Sequence, residues 1–153
     1  MPAVPGLRPA IEEAARASGL ADGLTVLDGQ SHQALAACDL ALVASGTATL
    51  EAALFKRPMV IAYKVNWLTY RIMAGKKLQP WVGLPNILCE DFVVPELLQA
   101  NAKPDLLSRA LADWLDDPAR MRAVRERFAA MHATLQRDTP TLAADAIEKV
   151  LAR

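Results

Sequence analysis

Four residues in the stretch Asp39 to Tyr63 (DLALVASGTATLEAALFKRPMVIAY) have types and spacing suited to holding an anion joined to a sugar. Ser45, Gly46 and Thr47 break an apolar run from a helix-forming run. Amides at the start of a helix lack intrahelical acceptors and carry partial positive charge. Gly46 removes the side chain that would keep an anion from those amides. Ser45 and Thr47 bring hydroxyls that cap the helix or meet the anion. Glu51 follows Thr47 by one helical turn and projects from the same face. A carboxylate there repels a bare phosphate at close range but accepts two hydrogen bonds from a ribose diol. Together these groups suit a nucleoside diphosphate. The other reading of the same residues is a plain helix cap with an acidic first turn, favourable through the dipole alone.

The elements around this turn follow from the apolar pattern. Leu40 to Ala44 is too short for a helix and suits a buried parallel strand. Ala48 to Phe55 is helical, Lys56-Arg57-Pro58 stops it, and Met59 to Tyr63 is a second buried strand. The turn then lies at the carboxyl end of a strand, where open α/β sheets place ligands. Upstream, Met1 to Pro5 reads as the tail of a strand. Leu7 to Ser18 reads as an amphipathic helix with Leu7, Ile11, Ala14 and Ala15 inward, closed by Gly19. Leu24 to Leu27 is a short strand, Asp28-Gly29 a turn, and Ser31 caps a helix to Cys38 with His32 on its first turn. The expected class is α/β, a Rossmann-like parallel sheet flanked by helices. Loops after neighbouring parallel strands open onto one edge, which brings Gln30 toward the same crevice.

Asn66 to Leu78 (NWLTYRIMAGKKL) would place Trp67, Tyr70, Met73 and Ala74 on one helical face above Lys76 and Lys77. That suits a core helix with a basic tip, or a surface lying at lipid headgroups. Gly83 and Pro85 argue against a regular strand through Gly83-Leu84-Pro85-Asn86. Pro95 to Gln99 (PELLQ) reads as a helix start with proline in its first turn, putting Glu96 and Gln99 on one face. A helical tail begins at about 104. In it Leu106, Leu107, Ala110, Leu111, Trp114 and Leu115 form an apolar face, and Asp117 with Pro118 opens the next helix. Met121, Val124, Phe128, Met131 and Leu135 make a stripe flanked by Arg120, Arg122, Arg125 and Arg127, which read as a solvated face, with phosphate binding as the lesser alternative. His132 beside it reads as structural. Thr141 to Leu151 is a last helix.

With these motifs in view, Leu27 to Gln99 resembles the carboxyl half of the lipid A disaccharide synthase family, glycosyltransferases of GT-B architecture. The resemblance rests on ASGTATLEA and on GLPN followed by PELLQ, and it covers about half the chain. It implies a fold of Rossmann type that holds the UDP-sugar donor, with amides of Gly46, Thr47 and Ala48 on the diphosphate and Glu51 on the ribose. It implies that Tyr63, Lys64 and Asn66 reach the sugar or phosphate, and it makes Asn86 and Gln99 polar contacts. The implied reaction transfers 2,3-diacylglucosamine from UDP to 2,3-diacylglucosamine 1-phosphate, without a metal or other cofactor, during lipopolysaccharide assembly. The lipid acceptor and the general base belong to an amino-terminal domain absent from this chain, so no catalytic residue is assigned here and the chain alone is expected to be inactive. A homodimer and a peripheral contact with the inner membrane are further implications.

Composition sets bounds on these expectations. The chain has 153 residues, enough for one domain with a real core. Its 17 basic and 17 acidic residues give no bias toward nucleic acid or acidic lipid. No run of apolar residues is long enough to span a bilayer, and Met1 to Pro5 does not open a secretory signal, so a cytoplasmic protein is expected. Cys38 and Cys89 lack metal-site spacing and read as core thiols. Two other functions fit the same turn. One is a different UDP-sugar enzyme of GT-B architecture, an epimerase or a UDP-GlcNAc transferase, which would lack the GLPN and PELLQ segments. The other is a non-enzymatic module that oligomerises through apolar surface.

Overall fold

The computed structural model describes residues 1–66, 71 and 79–152. All of its strand pairs are parallel. Strand β1 (Pro2–Ala3) pairs with β2 (Leu27–Asp28), and β3 (Ala41–Ala44), β4 (Met59–Tyr63) and β5 (Glu96–Leu98) form a second sheet in that order. Strand β2 begins at Leu27 rather than Leu24 because its partner β1 is only two residues long. Helix α1 (Arg8–Ala17) follows a 3-10 turn, so Leu7 lies outside the helix and is exposed, as is Ala14; Ala15 is buried. Gly19, at φ 69°, lets the Leu20 amide return to the Ala15 carbonyl and close the helix.

Helix α2 (Ser31–Ala37) starts at Ser31, and Gln30 rather than Ser31 holds the cap position, in left-handed conformation. Helix α3 (Thr47–Leu54) lies between β3 and β4 and ends on Lys56, also left-handed at φ 57°. There the amides of Lys56 and Arg57 return to Ala53 and Ala52, and Pro58 prevents continuation. Arg57 reaches back from this corner. Its Nε donates to the Leu35 carbonyl at 2.8 Å and its Nη2 to Ala36 at 2.6 Å, placing a cation on the carboxyl end of α2.

The core is built on β4. Met59, Val60 and Ile61 are fully buried in succession, as an interior parallel strand covered on both faces requires. Ala52 and Ala53 of α3 pack there with Val94, Trp114 and Phe128. Trp114 Nε1 donates to the Met59 carbonyl at 3.1 Å, so the ring is buried with its polar atom paired.

Around this core the expectation of no regular strand through residues 83–86 holds, and two others fail. Residues Leu84–Cys89 form a short helix, α4, with Pro85 in its first turn. PELLQ is not a helix start. Glu96–Leu98 pairs with Ile61–Tyr63 as β5, and Gln99 begins a 3-10 turn at φ 50°. Pairing with the buried β4 outweighs the local preference of proline for a first helical turn. Glu96 and Gln99 therefore do not share a helical face.

The rest of the chain is helical: α5 (Pro104–Leu115), α6 (Pro118–Leu135) and α7 (Thr139–Leu151). In α5, Leu107, Ala110, Leu111 and Trp114 face inward, whereas Leu106 and Leu115 are exposed. Asp117 accepts the Arg120 amide at 2.9 Å with Pro118 at the first helical position. In α6, Val124, Phe128 and Met131 are buried and Leu135 is exposed. The arginines of α6 are not a simple solvated face: Arg120 lies 4.1 Å over the Trp114 ring, and Arg127 Nη2 donates to the Cys89 carbonyl at 3.2 Å. His132 Nδ1 meets Lys56 Nζ, tying α6 to the corner after α3. Helix α7 opens at Thr139 rather than Thr141, with the Asp138 side chain accepting from the Thr141 amide. The expected face of Trp67, Tyr70, Met73, Ala74, Lys76 and Lys77 lies outside the described residues.

Candidate functional site

The carboxyl ends of β3, β4 and β5 lie side by side. Ala44 pairs with Ala62 and Tyr63 with Leu98, and the Ser45 amide donates to the Ala62 carbonyl at 3.1 Å. Ser45, Tyr63, Lys64 and Gln99 therefore line one edge of the sheet. Gln99 Oε1 accepts the Val65 amide at 3.0 Å, which fixes the chain leaving β4 and engages one face of the Gln99 amide.

Gly46 caps α3 at φ 146°, ψ −165°, a conformation that a side chain would strain. A Cβ added there would meet nothing within 4 Å, so the space before the helix is open. The Gly46 carbonyl accepts the Thr49 amide at 3.1 Å and the Thr49 hydroxyl at 2.7 Å. Thr49 is fully buried and braces the turn from behind. Sequence reasoning missed it; a threonine three residues after a glycine cap is the signal that was available. Gly46, Thr47 and Ala48 are exposed. No side chain caps α3, and the amides of Thr47 and Ala48 have no acceptor among the described residues.

Glu51 is partly exposed, and its carboxylate accepts no hydrogen bond among the described residues. Its ionisable neighbour is His32, on the first turn of α2, whose Nε2 stands 3.6 Å from Glu51 Oε2. The His32 ring also lies against Phe55, centroids 5.6 Å apart. This contact brings the start of α2 beside α3, with Gln30 exposed two residues before His32.

Glu96 and Asn86 are differently engaged. The Glu96 carboxylate accepts the amides of Val82 and Gly83 and the Asn86 side chain. Asn86 is fully buried; its Nδ2 donates to the Val94 carbonyl and to Glu96 Oε1, and its Oδ1 accepts the Val94 amide. In this arrangement Asn86 joins α4 to the segment before β5, and its side chain does not open onto the carboxyl edge. Asn66 and Lys64 are exposed just past β4. Among the described residues no group of three or more His, Cys, Asp or Glu is placed to hold a metal ion, and no helix is long and apolar enough to cross a membrane.

Parallel strands, crossover helices and an open glycine turn at the carboxyl edge define a Rossmann-like α/β domain. Residues 3–149 match the family described as lipid-A-disaccharide synthetase, and the chain belongs to that family. It is 61% identical over 99% of its length to a lipid-A-disaccharide synthase of Albidiferax ferrireducens. It is 56% identical over 99% of its length to the synthase of Verminephrobacter eiseniae. The synthase of Neisseria meningitidis serogroup B is 53% identical over 81% of the chain. The chain spans 40% of the length of the first two relatives and 32% of the third.

Proposed function

We propose that this chain is the donor-binding part of a glycosyltransferase that transfers 2,3-diacylglucosamine from UDP to 2,3-diacylglucosamine 1-phosphate. The observation that carries the reading is the open turn at Gly46, with the two unpaired amides of Thr47 and Ala48 just after it and the partly exposed Glu51 carboxylate on the same helix. The diphosphate rests on the amides of Gly46, Thr47 and Ala48, with the Ser45 and Thr47 hydroxyls beside it. The ribose diol donates to Glu51, and Gln30 lies toward the base. Tyr63, Lys64, Asn66 and the free face of Gln99 stand on the sugar side of the edge. Asn86 supports this edge from the interior.

In the reaction the acceptor hydroxyl oxygen attacks the anomeric carbon, the bond from that carbon to the diphosphate oxygen breaks, and UDP leaves. Charge grows on the diphosphate as that bond lengthens, and fixed amides stabilise it without reorganising. No metal is called on in this reading. The proton of the acceptor hydroxyl passes to a base contributed by the remainder of the enzyme, which also seats the lipid acceptor. The same reading has the enzyme act as a homodimer in the cytoplasm, in peripheral contact with the inner membrane that supplies its lipids.

Calorimetric titration of UDP into the chain, with ADP and GDP as controls, tests the donor site. Selective UDP binding that is lost in Glu51→Ala is expected. Equal binding of all three nucleotides, or UDP binding indifferent to Glu51→Ala, overturns the assignment.

A further inference from the structure

We propose that His32 is a positioning residue that holds the Glu51 carboxylate in the orientation a ribose diol needs. The proposal rests on the donor-site reading above and extends it to a residue on a different element. A glutamate has several rotatable bonds, and ordering one costs side-chain entropy that comes out of binding affinity. Glu51 has no hydrogen-bond donor of its own to order it among the described residues. His32 is its nearest ionisable neighbour, at 3.6 Å. That separation exceeds a hydrogen bond, so the free pair contributes little to stability at this exposure. Its effect lies in biasing the carboxylate before a ligand arrives.

His32 is itself well placed for this. Its ring packs against Phe55 at an interplanar angle of 42°, which restricts the imidazole to one side of α3. The helix that carries it is held at its other end by Arg57 on the Leu35 and Ala36 carbonyls. Arg57 and Phe55 both follow α3 directly, so the segment that carries the carboxylate also places its orienting partner. With Oε2 facing His32, Oε1 is left to the diol.

The test is a double-mutant cycle read on two ligands, UDP and its dideoxy-ribose analogue. Wild type, His32→Ala, Glu51→Ala and the double variant are titrated with each. His32→Ala is expected to weaken UDP binding about two- to fivefold and to leave the analogue nearly unchanged. It should have no further effect once Glu51 is alanine. His32→Gln, whose amide reaches the position of Nε2, should recover most of the loss. Equal losses for both ligands, or an undiminished His32 effect in the Glu51→Ala background, overturn the proposal. UDP binding that ignores Glu51→Ala instead removes the donor-site reading itself, so the two failures are distinct. Urea unfolding of each variant separates loss of fold from loss of positioning.

Discussion

Asn86 Nδ2 lies 2.8 Å from Glu96 Oε1, and this contact joins a helix to a strand that the sequence presents as unrelated. The same amide bonds the Val94 carbonyl at 2.9 Å and its oxygen accepts the Val94 amide at 3.0 Å. Asn86→Ala strands a buried backbone pair and is expected to cost about 2–4 kcal/mol of stability. Urea denaturation checks this. UDP affinity, measured where the variant is folded, should change little, because the side chain is enclosed behind the edge.

Gly46→Ala separates strain from crowding. Nothing stands where the new methyl group goes, so the cost comes from holding alanine at φ 146°, about 1–3 kcal/mol. The variant should unfold at lower urea and, by shifting the first turn of α3, lose UDP affinity measured by calorimetry.

Arg57→Ala removes two hydrogen bonds to the carboxyl end of α2 and should destabilise the chain by about 1–3 kcal/mol. Arg57→Lys should recover only part of this, since an ammonium lacks the planar fork that meets two carbonyls. Thermal unfolding of the two variants ranks them. A consequence for the site is that Arg57→Ala also weakens the coupling between His32 and Glu51 in a double-mutant cycle.

Burial raises the Cys89 thiol above its ordinary value, with the nearby Arg127 opposing part of the rise. The folded state thus holds the thiol proton more tightly than the unfolded chain. Its contribution to stability is complete below the ordinary thiol range and is lost as pH climbs through the folded value. Urea midpoints taken from neutral to alkaline pH should fall more steeply for wild type than for Cys89→Ala. Alkylation of Cys89 at neutral pH should be slower in the folded chain than in denaturant.

How far the sequence could be read depended on the range of the forces involved. Met59–Tyr63 is bounded by Pro58 and continuously apolar, and both signals are local. Asp117 with Pro118 is a cap whose two residues are adjacent. The open turn at Gly46 was legible for the same reason. PELLQ was misread because its strand state is imposed by Ile61–Tyr63, far away in the chain. The role of Asn86 was hidden because its partners arrive only when α4 folds onto β5. His32 stood in plain view on its first turn, but its relation to Glu51 depends on how α2 is laid against α3, which no spacing encodes. Leu106 and Leu115 were placed inward by periodicity, whereas α5 turns only Leu107, Ala110, Leu111 and Trp114 onto the core.

The turn before α3 presents main-chain groups to the solvent, and that has a genetic consequence. Side-chain replacement at Thr47 leaves its amide in place, and Ala48 is already alanine. An alanine scan is therefore blind to half of this surface. Side-chain changes at Thr47 and Ala48 should cost little, whereas any side chain at Gly46 must be held at φ 146°. Mutational sensitivity within this turn should concentrate on a single codon, and a screen that scores only lost side chains would rank as dispensable the main-chain groups that the turn exposes.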